Sequence, residues 1–200
     1  MASRSIRSSQ GTRAGKGWFL AGYAGVAGFF VVEALARERG RASSLDADSD
    51  DQDSTRMIVT ACLLAATLSP LLRRLPTRPL PRSSAPLGLV LQATGLGLRI
   101  WSMRTLGASY SRTLRTQDEQ PVVDNGPYGL IRHPGYLGSL LTWTGFGLTS
   151  RSLPVVVTVS GLLGRAYRHR VAAEEDLLRR GLAGYIDYSR RTKKLVPFIW

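Results

Sequence analysis

From Trp18 to Ala36 the chain reads WFLAGYAGVAGFFVVEALA, nineteen residues whose only charge, Glu33, lies near the end. A helix rises about 1.5 Å per residue, so about 20 apolar residues cross the roughly 30 Å hydrocarbon core of a bilayer. In lipid every backbone polar group must be satisfied within the protein, which restricts such a run to a helix. This block predicts a transmembrane helix, and four further apolar blocks follow it: Met57 to Leu72, Pro86 to Met103, Gly135 to Thr149 and Pro154 to Tyr167. Gly95 and Gly97 in the third block suit close helix packing, and Arg99, Trp101 and Arg104 at its far end suit an interface where Arg snorkels. The last two blocks are short for a bilayer. They read as a hairpin that must thin the membrane, lengthen into flanking residues or be re-entrant, which leaves four or five spans.

Polar segments separate the blocks. Arg37 to Arg56 holds Asp46, Asp48, Asp50, Asp51 and Asp53 without periodicity and reads as a solvated loop. It lacks the central Gly and the closing Glu of a calcium loop, so no metal site is expected. Pro76, Pro79, Pro81 and Pro86 make a stiff connector. Ahead of the first block, Arg4, Arg7, Arg13 and Lys16 form a basic stretch that also describes a signal or transit peptide; with a long apolar run and no clean cleavage site after it, the expectation is a disordered arm over residues 1–17 beside a retained helix.

Charge bears on partners. The 200 residues hold 27 Lys and Arg against 14 Asp and Glu, for a net +13, yet 44% are hydrophobic and 20% charged, which excludes a wholly disordered basic tail. Blocked apolar residues favour a membrane surface over nucleic acid as the partner of that charge. The single Cys62 excludes an intrachain disulfide and a cysteine-rich zinc site. Lys and Arg divide 17 against 9 between the two sides of a five-span chain, Arg99 falling inside a span, so the positive-inside rule puts the carboxyl terminus in the cytosol.

Two polar constellations lie beside the membrane in the last 80 residues. In PVVDNGPYGLIRHPGYLG, from Pro121 to Gly138, a turn precedes His133-Pro134, and Pro sets a helix start. Arg132, His133 and Tyr136 then stand within one turn, either a cradle for a polar cofactor head or ordinary interfacial anchors. In RAYRHRVAAEEDLLRRG, from Arg165 to Gly181, Arg170 and Glu174 share a helix face, either as a solvated ion pair or as a functional pair at a membrane cavity.

GPYGLIRHPGYLG, a hairpin, an Arg followed by Glu174-Glu175, then Gly184, Tyr185, Tyr188 and the ending RRTKKLVPFIW together resemble the isoprenylcysteine carboxyl methyltransferase family, over roughly Leu98 to the carboxyl terminus. The resemblance implies an all-α integral membrane bundle of about five transmembrane helices, with a cytosolic pocket for S-adenosyl-L-methionine built by the C-terminal half. Residues 86–200 would be the methyltransferase core, after an N-terminal transmembrane pair with acidic loop and Pro-rich connector over 18–85. His133 and Tyr136 would contact the cofactor, Tyr128, Gly129, Arg132, Pro134 and Gly138 would shape that wall, and Tyr185 and Tyr188 would close it. Glu174 or Glu175 would hold the cofactor ammonium, and Arg170 with Glu174 would carry catalysis. The implied acceptor is the α-carboxylate of an isoprenylated cysteine at a chain terminus, in the endoplasmic reticulum of a eukaryote or the plasma membrane of a prokaryote. Phospholipid amine and small-thiol methyltransferases and sterol reductases share versions of this core, so those acceptors, a related reductase or a noncatalytic scaffold are the alternatives.

Overall fold

Hydrophobic blocks of these lengths become helices, and the computed structural model, which describes residues 2–38, 53–107 and 122–195 with side chains from 15 to 36 in the first stretch, contains no strand among them. Helix α1 runs Ala2–Glu38, α2 Ser54–Leu72, α3 Ser84–Leu106, α4 Pro134–Thr149, α5 Leu153–Gly181 and α6 Tyr185–Arg191, with a 3-10 turn at Gly126–Gly129 before α4. Asp46, Asp48, Asp50 and Asp51 of the expected acidic loop lie outside the described residues. Two segments, Gly15–Ala36 of α1 and Ser54–Leu72 of α2, are long and apolar enough to cross a membrane. Their outward faces are apolar as well: Leu20, Val31 and Leu63 are 68, 55 and 60% exposed, as suits side chains that face lipid.

Four sequence expectations change. Helix α1 begins at Ala2, so the basic stretch expected as a disordered arm is helical and continuous with the span; no proline interrupts it. Helix α2 starts at Ser54 rather than after Arg56, which brings Ser54 and Thr55, both buried, out of the expected solvated loop and into the bundle. Of the two glycines expected to serve close helix packing, Gly95 does so against Gly138, whereas Gly97 faces open space. Arg99 does not snorkel. It is 6% exposed and paired with Glu33 of α1 at 2.5 Å.

Helices α3 and α4 make the tightest seam. Gly88 and Gly95 on α3, seven residues apart, oppose Gly145 and Gly138 on α4; a Cβ on any of the four would lie 2.5 to 2.6 Å from the facing carbonyl oxygen. Small residues at this spacing let two backbones touch, which is how helices associate where lipid removes the hydrophobic drive. Gln92, between the two glycines of α3, reaches α1 and donates from Nε2 to the Gly22 carbonyl at 3.0 Å. Proline explains another link. Pro70 has no N–H to give the carbonyl of Ala66, and Tyr23 of α1 donates its hydroxyl there at 2.6 Å.

The aromatic and aliphatic core lies where α1, α2, α4 and α5 meet, around Trp143, Phe146, Val155, Val159 and Leu163, all fully buried. Between α4 and α5 a tight turn holds Arg151 at φ 57°, and Arg151 exchanges hydrogen bonds with Leu80, clamping the Pro-rich connector against the hairpin tip. Of the two short blocks, α4 keeps 16 residues while α5 extends to 29, about 43 Å. Its last turns run on past the apolar block that ends at Tyr167 and carry the second polar constellation.

Candidate active site

Pro134 starts α4 and disfavours a helical residue just before it, and His133 accordingly lies outside the helix at φ −123°, ψ 54°. The chain after α6 comes back alongside this stretch: Ile131 and Lys193 form a parallel bridge, and the amides of Arg132 and His133 donate to the carbonyls of Lys193 and Lys194 at 2.8 and 3.0 Å. The carboxyl-terminal segment thus fixes both side chains over α5.

Glu175 is the hub of what they meet. Its carboxylate, 3% exposed, accepts from Arg132 Nε at 2.7 Å and Nη2 at 3.3 Å, from the Tyr185 hydroxyl at 2.9 Å and from Arg179 Nη2 at 3.4 Å, and lies 2.9 Å from His133 Nε2. Arg132 further donates to the carbonyls of Ser189 and Thr192. Burial pushes the Glu175 carboxyl up, and the hydrogen bonds from His133 and Arg132, the charge on His133 and the Tyr185 hydroxyl outweigh it, holding the group well below the usual carboxylate range. The Tyr185 hydroxyl is driven upward by burial and by the Glu175 charge it faces. Tyr188 closes the far side, its hydroxyl donating to the Tyr128 carbonyl at 2.7 Å.

Glu174 is placed differently. Its Oε2 is buried without a hydrogen-bond partner, 3.6 Å from His133 Nδ1. Tyr136 stacks on the His133 ring, centroids 5.6 Å apart, and its hydroxyl accepts from Arg170 Nε at 3.1 Å. Arg170 is 2% exposed, and its Nη1 donates to Ser54 Oγ at 2.9 Å and Thr55 Oγ1 at 3.1 Å. A buried guanidinium held by hydroxyls of another helix is not a solvated ion pair on a helix face.

Of the residues singled out in the sequence, His133, Tyr136, Arg170 and Glu174 converge on one point. Arg132, Glu175 and Tyr185 form the ion-paired support behind it, with Tyr128 at its edge. Gly138 lies elsewhere, on the α3 face against Gly95. Ser54 and Thr55 join the site although nothing in their local sequence marks them: hydroxyl residues beside charged ones read as loop, and only the packing of α2 on α5 reveals them.

Residues 87–180 match the model of the isoprenylcysteine carboxyl methyltransferase (ICMT) family, as the sequence resemblance implied. A probable protein-S-isoprenylcysteine O-methyltransferase of Oryza sativa subsp. indica is 30% identical over 115 residues, 56% of this chain and 60% of the relative. Protein-S-isoprenylcysteine O-methyltransferase B of Arabidopsis thaliana is 26% identical over 56% of the chain and 58% of its own. The cobalt-zinc-cadmium resistance protein CzcN of Cupriavidus metallidurans is 29% identical over 56% of the chain and 50% of its own. The chain therefore spans about 60% or less of the length of these relatives. A solved eukaryotic intramembrane Ras methyltransferase, also an isoprenylcysteine carboxyl methyltransferase, superposes with a TM-score of 0.55 over 72% of this chain and 52% of its own, at 20% identity, and shares the helical fold.

Proposed function

We propose, from the match of residues 87–180 to the isoprenylcysteine carboxyl methyltransferase family, that the chain is an S-adenosylmethionine-dependent membrane methyltransferase acting on the α-carboxylate of a C-terminal isoprenylated cysteine. The observation that carries the reading is the buried Oε2 of Glu174, which accepts no hydrogen bond and lies 3.6 Å from Nδ1 of His133, on whose ring Tyr136 stacks. A carboxylate oxygen left without a donor in a buried site is costly unless a cation completes it. The ammonium of the cofactor's amino-acid end supplies such a cation, so the donor set fits the group. Glu175, saturated by Arg132, His133, Tyr185 and Arg179, is the support and not the ligand.

When bound, S-adenosylmethionine brings a methyl already activated on a sulfonium sulfur, so alignment and exclusion of water are the protein's main tasks. A carboxylate acceptor is ionised near neutral pH and needs no general base. Arg170, held in place by Tyr136, Ser54 and Thr55, supplies a fixed positive charge that draws and orients that carboxylate. Esterification of that carboxylate would remove a charge from the lipid-anchored end and so strengthen its attachment to the membrane. Access suits both partners when the α5 end faces the cytosol: a water-soluble cofactor arrives from that side and a prenyl chain from the bilayer.

Binding decides between this and the alternatives. The detergent-purified chain should bind S-adenosylmethionine and not a reduced nicotinamide cofactor, and Glu174→Gln should weaken binding about tenfold or more while Arg170→Ala leaves it within a few-fold. Binding of the nicotinamide cofactor alone, or of neither, rejects the reading.

A further inference from the structure

The Arg99–Glu33 pair lies away from the cluster just described and serves nothing so far derived. Both groups are inside the bundle, with side chains 8 and 15% exposed, and the Arg99 guanidinium covers the Phe29 ring at 5.1 Å. Ionisable groups at membrane depth are costly and mark functional positions by default. Glu33 meets part of that cost, but one carboxylate does not use up a guanidinium fork. From the same group, Nη1 donates to the Gly135 carbonyl at 2.9 Å and to Ser139 Oγ at 2.7 Å. Ser139 also donates to Gly135 at 3.1 Å, so the three close a ring on the first turn of α4. That turn bears Tyr136, between the two residues Arg99 grips, and begins at His133, whose carbonyl accepts from the amides of Tyr136 and Leu137.

A fork fixed at one end by α1 and at the other by the α4 first turn has a consequence for geometry. Tyr136 and His133 must stack at 5.6 Å and meet Glu174 and Arg170 on α5. A rotation of the first turn of α4 by a few degrees opens that gap, and recognition sites lose function when their supporting residues are loose by about 1 Å. We infer that Arg99 is a positioning residue for the candidate cofactor site: aimed by Glu33, it locks the first turn of α4 so that His133 and Tyr136 face Glu174. This rests on the cofactor reading above and adds a contribution from α1, which lies outside the matched residues 87–180.

The test separates holding the fold from aiming the site. Full-length protein in detergent is titrated with S-adenosylmethionine, and its thermal midpoint is measured without cofactor. Arg99→Lys keeps a charge for Glu33 and loses the fork; affinity should fall about tenfold, with turnover recovering at saturating cofactor. Ser139→Ala is the milder variant, expected to lose about threefold in affinity with a smaller fall in midpoint than Arg99→Lys. The exchange Glu33→Arg with Arg99→Glu should regain the midpoint lost by Glu33→Arg alone, yet not the affinity, because a carboxylate at 99 cannot donate to Gly135. Affinities within twofold of wild type in Arg99→Lys and Ser139→Ala, or an exchange that restores affinity together with stability, overturn the inference. Wild-type protein that binds no S-adenosylmethionine overturns the cofactor reading itself, before any variant is compared.

Discussion

Glu174 and Glu175 are neighbours in sequence and opposites in chemistry. Glu175 is consumed by Arg132, His133, Tyr185 and Arg179, whereas Glu174 keeps a buried oxygen without a donor. Glu175→Gln should therefore act on stability, costing about 3 kcal/mol or more because Arg132 is left buried beside a neutral amide, while Glu174→Gln should spare the thermal midpoint and weaken cofactor binding. Acid adds a second test. The folded Glu175 carboxyl is held below its unfolded value of about 4.3, so its contribution is complete above that pH and is lost as pH falls from there through the lower folded value. The wild-type midpoint should drop between about pH 5 and pH 3, and Glu175→Gln should flatten that limb. An equal slope in both proteins contradicts the hub assignment. At this scale the sequence marked the residue types at the site and paired Glu174 with Arg170, but left open which carboxylate would hold the cofactor ammonium: both face His133, and which one is spent depends on Arg132 and Tyr185, 43 and 10 residues away.

Helices were the most legible features, because hydropathy registers a membrane block directly. Their ends and faces were less so. Ser54 and Thr55 belong to α2 through burial against Arg170, and the partner that keeps Arg99 in the bundle is 66 residues distant. Gly95 and Gly97 are equivalent by composition and differ only in which side of α3 meets α4. That seam makes a sharp prediction: Gly95→Ala should destabilise by about 1–3 kcal/mol, since the new methyl meets the Gly138 carbonyl at 2.5 Å, while Gly97→Ala, facing open space, should be neutral or slightly stabilising through helix propensity. Thermal midpoints of the two variants in one detergent check it. Tyr23→Phe, which strands the Ala66 carbonyl left free by Pro70, should cost about 1 kcal/mol by the same measurement.

On the scale of the molecule, α1, α2, α4 and α5 share the core, α3 packs along α4 through the glycine seam, and the polar end of α5 collects the site. The charge distribution predicts that a tag after Trp200 is shielded in intact cells and one in the Pro76 to Pro86 connector is exposed outside or in the lumen; both tags on one side would contradict five spans. The proposed reaction is measured directly as transfer of labelled methyl from S-adenosylmethionine to a prenylated cysteine by the purified chain. The expected result is a base-labile methyl ester formed by the wild type and reduced about tenfold or more in Arg170→Ala and in Glu174→Gln. Label appearing on a phospholipid amine or a small thiol instead, or an ester formed at equal rates by all three proteins, would contradict it.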